Sequence, residues 1–517
     1  MIYNKIFARY LAFKKAVVAS AILLCSLSSF GQITNFSRDG QQAIRFSAAG
    51  DAIDAHDGEI AFFKGTYYLY GTSYDCGFQW GNKEAPFCGF KVYASKDLNN
   101  WTDRGFLFDA KTPIWQSRCD GKTYGCFRPH VIYNAKTHLY VLWINVYDNV
   151  VGYRVFTAKT PVGPFNEVGE PHLAVNSDMP AAGLNNGDHD TFVDDDGTAY
   201  LAYTDWRAKG AIVIEKLSAD YLTGTGEVVK SVTSGDTEAP GLFKRNGVYY
   251  IVYSDPNCGY CSGTGSSYKT ATAPLGPWSA GKRISDNSCG GQPSFVSTIK
   301  INAQTVYLYG SDLWNNAAKN EALANYYWAP LTFAPDGSIN PLKCAEVYQH
   351  PKYAKPADRP GLDNTSGDAN FFAKCDIVRS LQRAQAFTAK RNGTLSKITV
   401  TAFKNNHPNK DLVMALYAAT ELDLPAGTAL YSTTIPDAAL GWSARNVAIL
   451  PNLKVKKGER FVIVISSEAT AGCFGVSYSN NARTTIGQSS ESNDGGKTFK
   501  AINGAGIKFQ TFITGGK

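Results

Sequence analysis

Residues 60–73 read IAFFKGTYYLYGTS: an apolar run, a tight turn at a glycine, then a second strand rich in tyrosine. The unit returns as HVIYNAKTHLYVLWIN (130–145), DTFVDDDGTAYLAYTD (190–205), LFKRNGVYYIVYSD (242–255) and FVSTIKINAQTVYLYGSD (295–312). Further hairpins follow, as in VYASKDLNNWTDRG (92–105), YRVFTAKTPVGPF (153–165) and YKTATAPLGPW (268–278). Such runs, bounded by Gly and Asn turns, are antiparallel strand signals. A β-meander buries its faces only against neighbours, so five of them at a spacing of roughly 50–70 residues predict a five-bladed β-propeller. A large β-sandwich is the other all-β reading, and the regular spacing argues against it.

The repeat stops after Pro330. Residues 351–374 (PKYAKPADRPGLDNTSGDANFFAK) are rich in Pro, Asp and Gly, as interdomain connections are. Beyond them KITVTAF, LVMALYAA, ALYSTTI and RFVIVISS are strand-like, which predicts a β-sandwich over 375–517 with Cys375 and Cys473 placed to tie it. The expected division is a leader over 1–31, a propeller over 32–350, a linker over 351–374 and the sandwich over 375–517. Trp442, Phe474 and Tyr478 are candidate sugar platforms in a carbohydrate-binding second domain; a stabilising appendage is the alternative.

The N-terminus carries Lys5, Arg9, Lys14 and Lys15, then an apolar run from Ala16 to Leu24, then Ser28, Ser29 and Gly31. That order is a secretory signal peptide with cleavage expected after Gly31, so the protein is expected to be secreted or periplasmic. Leu24 is too large for the small residue a lipidation motif places before Cys25. The leader's four positive charges account for part of the net charge of +7 and leave +3, too little for a nucleic-acid partner. No later stretch approaches the apolar length of a membrane span. Ten of the 11 cysteines lie beyond the leader, and Cys76/Cys88 and Cys119/Cys126 are natural local pairs. Cys258-Gly-Tyr-Cys261 lacks a second CxxC or a His pair, so a disulfide or free thiols are favoured over zinc.

In a propeller the innermost strand of each blade opens into a central funnel, so functional groups are expected just before each apolar strand. Those positions hold Asp57, then Arg128 and His130, then Asp188, Glu238 and Gln292. Acids there are often plain turn-formers, but carboxylates in three blades suit glycoside hydrolysis. Inversion needs one carboxylic acid to protonate the leaving oxygen and one carboxylate to deprotonate water, and a third can raise the acid's pKa. Glu59, expected to share a strand face with Asp57, is the rival base. Trp314, Trp206, Tyr260 and Trp80 are candidate stacking residues. Asp194, Asp195 and Asp196 before Gly197 suggest a hairpin turn rather than a metal cluster. No cofactor or metal is required by the pattern, although a structural calcium is compatible with it.

The chain resembles glycoside hydrolase family 43 through AHDGEIAFFKGTYYLYGTS with VYASKDLNNWTDRG, DTFVDDDGTAYLAY and EAPGLFKRNGVYYIVYS, over about 45–345. The resemblance implies Asp57 as general base, Glu238 as general acid and Asp188 as the acid that tunes and orients it. Through IDAHDGEI, RPHVIYN, EAPGLFKRNG and SDLW with YYWAPLTF it is most similar to the exo-β-1,3-galactanase branch. It departs from that branch by keeping Asp57 where a small residue is usual and by placing Phe127 where a Glu is usual. Gln292 stands where many members have a His, and either orients substrate or water or caps a turn. His130, Arg128, Gln292, Trp314 and Tyr260 are the expected substrate ligands. The expected function is exo-acting removal, with inversion, of terminal β-galactosyl or α-L-arabinofuranosyl units from plant arabinogalactan or pectic side chains, by a monomer. A sugar-binding propeller without catalysis is the alternative.

Overall fold

The computed structural model describes residues 30–515 apart from 38, 81–86, 109–118, 120–124, 147–150, 176–185, 257, 302, 317, 346–347, 352–359, 367–369 and 481–486. Nearly all of the expected leader lies outside the described residues. The elements are strands joined by turns, with three single-turn 3₁₀ segments among the described residues. No described helix is long and apolar enough to cross a membrane.

Four four-stranded antiparallel sheets and one three-stranded sheet form five blades in chain order. Their innermost strands are His56–Phe63, Cys126–Asn134, Asn186–Val193, Glu238–Arg245 and Gln292–Ile301. Each hairpins to a Tyr-rich second strand. The turns Lys64-Gly65 and Asn246-Gly247 have positive φ at both residues (49° and 75°, 50° and 79°), the backbone that matches strand twist in a two-residue hairpin.

A separate apolar cluster fills each seam between blades. Tyr70 and Phe90 meet Val131 and Leu142 between blades one and two, and Val141 and Trp143 meet Leu201 and Val213 between two and three. Ile212 and Ile214 meet Leu242 and Ile251, and Phe243 and Val252 meet Val296 and Tyr309. The ring closes where Ile60 and Leu69 of blade one meet Phe295 and Trp328 of blade five.

Among the described residues no strand is exchanged at this last seam and blade five has three strands. Asn35 bonds to the last of these. Its amide donates to the Trp328 carbonyl at 3.1 Å and its carbonyl oxygen accepts from the Trp328 N–H at 2.9 Å. Arg45 donates to that same oxygen at 2.7 Å and stacks 4.1 Å over the Trp328 ring.

The second unit is a sandwich of an eight-stranded and a six-stranded sheet around Ile398, Val400, Met414, Ile463, Phe474 and Val476. Strand Leu362–Thr365 falls inside the stretch expected to be a linker and Phe372–Ile377 begins within it, yet both already belong to the first sheet of the sandwich, paired with Phe509–Thr514 and Cys473–Ser479. Trp442, Phe474 and Tyr478 are 5 %, 0 % and 1 % exposed, so none of the three is a sugar platform. Burying apolar area in the sandwich core and against the propeller claims them. All ten cysteines beyond the expected leader pair: Cys76–Cys88, Cys119–Cys126, Cys258–Cys261, Cys289–Cys344 and Cys375–Cys473.

Candidate active site

All five innermost strands carry a β-bulge next to their first or, in blade two, their second residue, where two residues oppose one on the second strand. The first step of the bulge is His56, Phe127, Asn186, Glu238 or Gln292; the second is Asp57, Arg128, Gly187, Ala239 or Pro293; the third is Gly58, Pro129, Asp188, Pro240 or Ser294. The expected site residues are therefore staggered rather than equivalent. Glu238 and Gln292 stand on the first step, Asp57 and Arg128 on the second, and Asp188 on the third. Asp57 and Arg128 both take positive φ, 55° and 51°, which the bulge imposes.

Arg128 lies among the carboxylates. Its Nε donates to Asp188 Oδ1 at 2.7 Å, its backbone N–H donates to Asp57 Oδ1 at 3.1 Å, and its guanidinium reaches the Ser294 carbonyl at 3.3 Å. Burial opposes its charge, but Asp188, Asp57 and Glu238 together outweigh burial and hold it protonated. Asp57 also accepts from Thr72 Oγ1 at 2.7 Å and from the Tyr74 hydroxyl at 3.0 Å. Burial raises its pKa to about 7 against the pull of Arg128, and Asp312 adds to the rise. Asp188 Oδ2 is buried with no hydrogen-bond partner among the described residues, so a donor such as a sugar hydroxyl would satisfy it.

Glu238 and Gln292 are side by side on adjacent blades. The Gln292 amide donates to Glu238 Oε1, and its carbonyl oxygen accepts from Trp314 Nε1 at 3.1 Å. Gln292 thus fixes the Glu238 carboxyl with one end and the Trp314 ring with the other. Gln292 and Trp314 also face a small recess beside Cys258 and Cys261, which meets at Gly290 and Asn315 a cavity of about 290 Å³ lined by Gln42, Asn325 and Phe372 among others.

Two expected site residues lie elsewhere. His130, expected to touch substrate, is fully buried at the step below Arg128, and its Nδ1 lies 3.0 Å from Asp190 Oδ1. Burial lowers its pKa to about 3 and raises that of Asp190 to about 7, so the pair is neutral over the range between. Glu59 does not share a face with Asp57, because the bulge breaks the alternation between them; it accepts from Val131 N at 2.5 Å. Asp190 does the same for Leu242 N at 2.6 Å. These two carboxylates brace one blade against the next. Tyr260 faces the Glu321 carboxylate, and Trp206 packs on Gly187, next to Asp188. Trp80, 45 % exposed, rests edge-on against Phe127 at 5.2 Å. Phe127 itself packs on Phe78. Asp194 to Gly197 form the expected hairpin turn, with Asp194 held by Lys244 at 2.7 Å. Among the described residues no group of three or more His, Cys, Asp or Glu is arranged to hold a metal.

Sequence reasoning missed His56, Tyr74 and Asp312. His56 is fully buried between Asp54 and Asp312, at 3.4 and 3.5 Å, and lies flat on Tyr326. Burial disfavours its charge, but the two carboxylates prevail and raise its pKa to about 9. Asp312 also accepts from the Asp57 N–H at 3.0 Å, so it positions the backbone of Asp57 from the neighbouring blade. The signal was present. The second strand of every blade carries, at its last or next-to-last residue, a small polar residue opposite the first bulge step: Thr72, Asn145, Asp205, Ser254 and Asp312.

A closed β-propeller whose axial strand ends hold three carboxylates around one arginine, with a tryptophan and an amide alongside, is the architecture of a carbohydrate-active enzyme. The family model described as glycosyl hydrolases family 43 matches residues 52–330, and the chain belongs to that family. A β-D-galactofuranosidase of Aspergillus niger is 31 % identical over 228 residues, 43 % of this chain and 63 % of that protein, so the chain spans less than two thirds of that relative. An extracellular endo-α-(1→5)-L-arabinanase of Bacillus subtilis is 24 % identical over 52 % of this chain and 75 % of its own length. Among solved structures, an exo-β-1,3-galactanase from Phanerochaete chrysosporium with galactose is 21 % identical, with a TM-score of 0.49 over 86 % of this chain and all of that one.

Proposed function

We propose that this protein is an exported, exo-acting glycoside hydrolase that removes terminal β-galactosyl or α-L-arabinofuranosyl units from plant arabinogalactan or pectic side chains with inversion. The observation that carries the reading is Arg128, whose one side chain and backbone N–H engage Asp188 and Asp57 while its charge is felt by Glu238. Three carboxylates from separate blades thereby act on one guanidinium, which supports the reading. Glu238 protonates the departing glycosidic oxygen, held in aim by Gln292. Asp57 takes a proton from water as that water attacks the anomeric carbon from the opposite face. The unpartnered Asp188 oxygen accepts a sugar hydroxyl, and Trp314 offers its ring to the sugar's apolar face. The galactose- and arabinose-directed relatives, and the pairing of all ten cysteines beyond the leader, support the substrate class and the export.

The test is hydrolysis of arabinogalactan and of aryl β-galactosides and α-L-arabinofuranosides, with the first-formed anomer read by proton NMR. Glu238→Gln should lose about 10² to 10⁴ in turnover on natural substrate and less on activated aryl glycosides, which need little protonation. A retained anomer, or equal loss on both substrate types, would refute the assignment of the two carboxylates.

A further inference from the structure

The sandwich meets the propeller along several segments, Phe371 on Ile44, Asn405 on Ala318 and Lys508 on Gly50 among them, and one of these, the loop of residues 440–446, lands behind the active site. Trp442 N donates to the Asp75 carbonyl at 3.0 Å, and Asp75 Oδ1 accepts from the N–H and hydroxyl of Ser443 at 2.9 and 2.7 Å. Arg445 pairs with the other oxygen of the same carboxylate. The fit leaves no room for side chains on either side. A Cβ on Gly441 would stand 1.9 Å from Asp75 Oδ1, and one on Gly77 2.6 Å from the Trp442 indole nitrogen. Trp442 is buried in the same apolar cluster as Tyr74 and Phe78. Its carbonyl accepts from Asn320 at 3.3 Å, one residue from Glu321.

Residues 74–77 form the clamped turn, closed by Gly77 N to Tyr74 O at 2.9 Å. Tyr74 is its working end: its hydroxyl donates to Asp57 Oδ2 and its N–H to Asp54 Oδ1 at 2.9 Å. We infer that the sandwich is a working part of the catalytic site, Trp442 and the Asp75–Arg445 pair being positioning residues that hold the Tyr74 hydroxyl on Asp57. The inference rests on the proposed role of Asp57 as base. A hydroxyl donating to a carboxylate favours its ionised form. With Tyr74 displaced, Asp57 keeps its proton to higher pH and the base is lost from part of the working range. The other groups facing Asp57 are Arg128 from blade two, Asp312 from blade five, itself paired with His56, and Thr72 from its own blade, and none belongs to the clamp.

The experiment compares Trp442→Ala, Trp442→Phe, Arg445→Gln and Tyr74→Phe in the full chain. Turnover, KM and the ascending limb of the pH profile are measured on one aryl glycoside. Trp442→Ala should lower kcat about tenfold with little change in KM, and move the limb upward by about one pH unit, as Tyr74→Phe does directly. Trp442→Phe should restore most of both, and Arg445→Gln should show the same displacement in smaller measure. Should Trp442→Ala fail to fold, Arg445→Gln, at a half-exposed position, decides the matter by itself. A folded clamp variant with wild-type kcat and an unmoved limb overturns the inference. Asp57→Asn separates the two readings: if it stays active, the role of Asp57 falls; if it is dead while the clamp variants are normal, only the clamp does.

Discussion

Asp57 gives the residue scale its clearest test, because the same burial that suits it to accept a proton makes it expensive to fold in its ionised form. Its folded pKa, about 7, lies above that of an exposed aspartate, so the native state binds an extra proton between about 4 and 7 and stability falls as pH rises through that window. Above it the penalty is full, at most roughly 4 kcal/mol. Asp57→Asn should therefore raise the melting temperature at pH 8 by several degrees and change it little at pH 4, while abolishing turnover. A melting temperature that drops at pH 8 would mean the carboxylate is held by more than the three donors seen. In the wild type, kcat/KM should climb with pH through about 7. Gln292→Ala should cost about tenfold in kcat, less than loss of the base, because Gln292 aims Glu238 and Trp314 without moving a proton. Asp57, Glu238 and Gln292 were legible because each stands beside a strongly apolar strand. Asp312 left a mark, the polar residue near the end of its strand, but its role depends on blade five closing against blade one, and that of Tyr74 on how the turn after the second strand folds back over the bulge.

At the scale of the element, the shared bulge explains both what the sequence pattern delivered and where it misled. Strand periodicity located every innermost strand from runs such as IAFF and GLFKR, but a single inserted residue leaves no mark on hydrophobic alternation. Alternation alone accordingly puts Glu59 beside Asp57, and the bulge turns it toward Val131 instead. Glu59→Ala should leave the Val131 N–H without an acceptor and lower stability by about 1–3 kcal/mol in urea unfolding, while the folded fraction keeps near-normal turnover. Turnover lost in proportion to a general base would return Glu59 to the chemistry. Ala239, at φ 52° on the second step of blade four, makes the complementary point. A β-branched residue is strained there, so Ala239→Val should destabilise by about 1–2 kcal/mol and, by shifting Glu238 next to it, slow turnover as well.

Over the whole molecule, the repeat made the ring legible, but the means of closing it lay outside the repeat. Asn35 sits in a segment with no strand pattern, and its two bonds to the Trp328 backbone become intelligible only once blade five is seen to have three strands among the described residues. Asn35→Ala should lower the urea midpoint by the equivalent of about 2–3 kcal/mol, since it strips the blade edge and leaves Arg45 without its acceptor. An unchanged midpoint would place the closure in the apolar seam alone. The aromatic residues of the sandwich misled for a related reason: a sugar platform, a core residue such as Phe474 and a docking residue such as Trp442 are the same residue types, and only the surface each packs on tells them apart. The common bulge has one more consequence. Five strands that each take one extra residue at the same place offer three mounting heights around a single axis, and where neither a positive φ nor a crowded glycine forbids it, as at Glu238, Gln292 and Asp188, a side chain can be exchanged without disturbing the hydrogen-bond ladder below. New specificities can then arise by re-equipping fixed sockets, much as tools are changed on a turret while its bearings stay put.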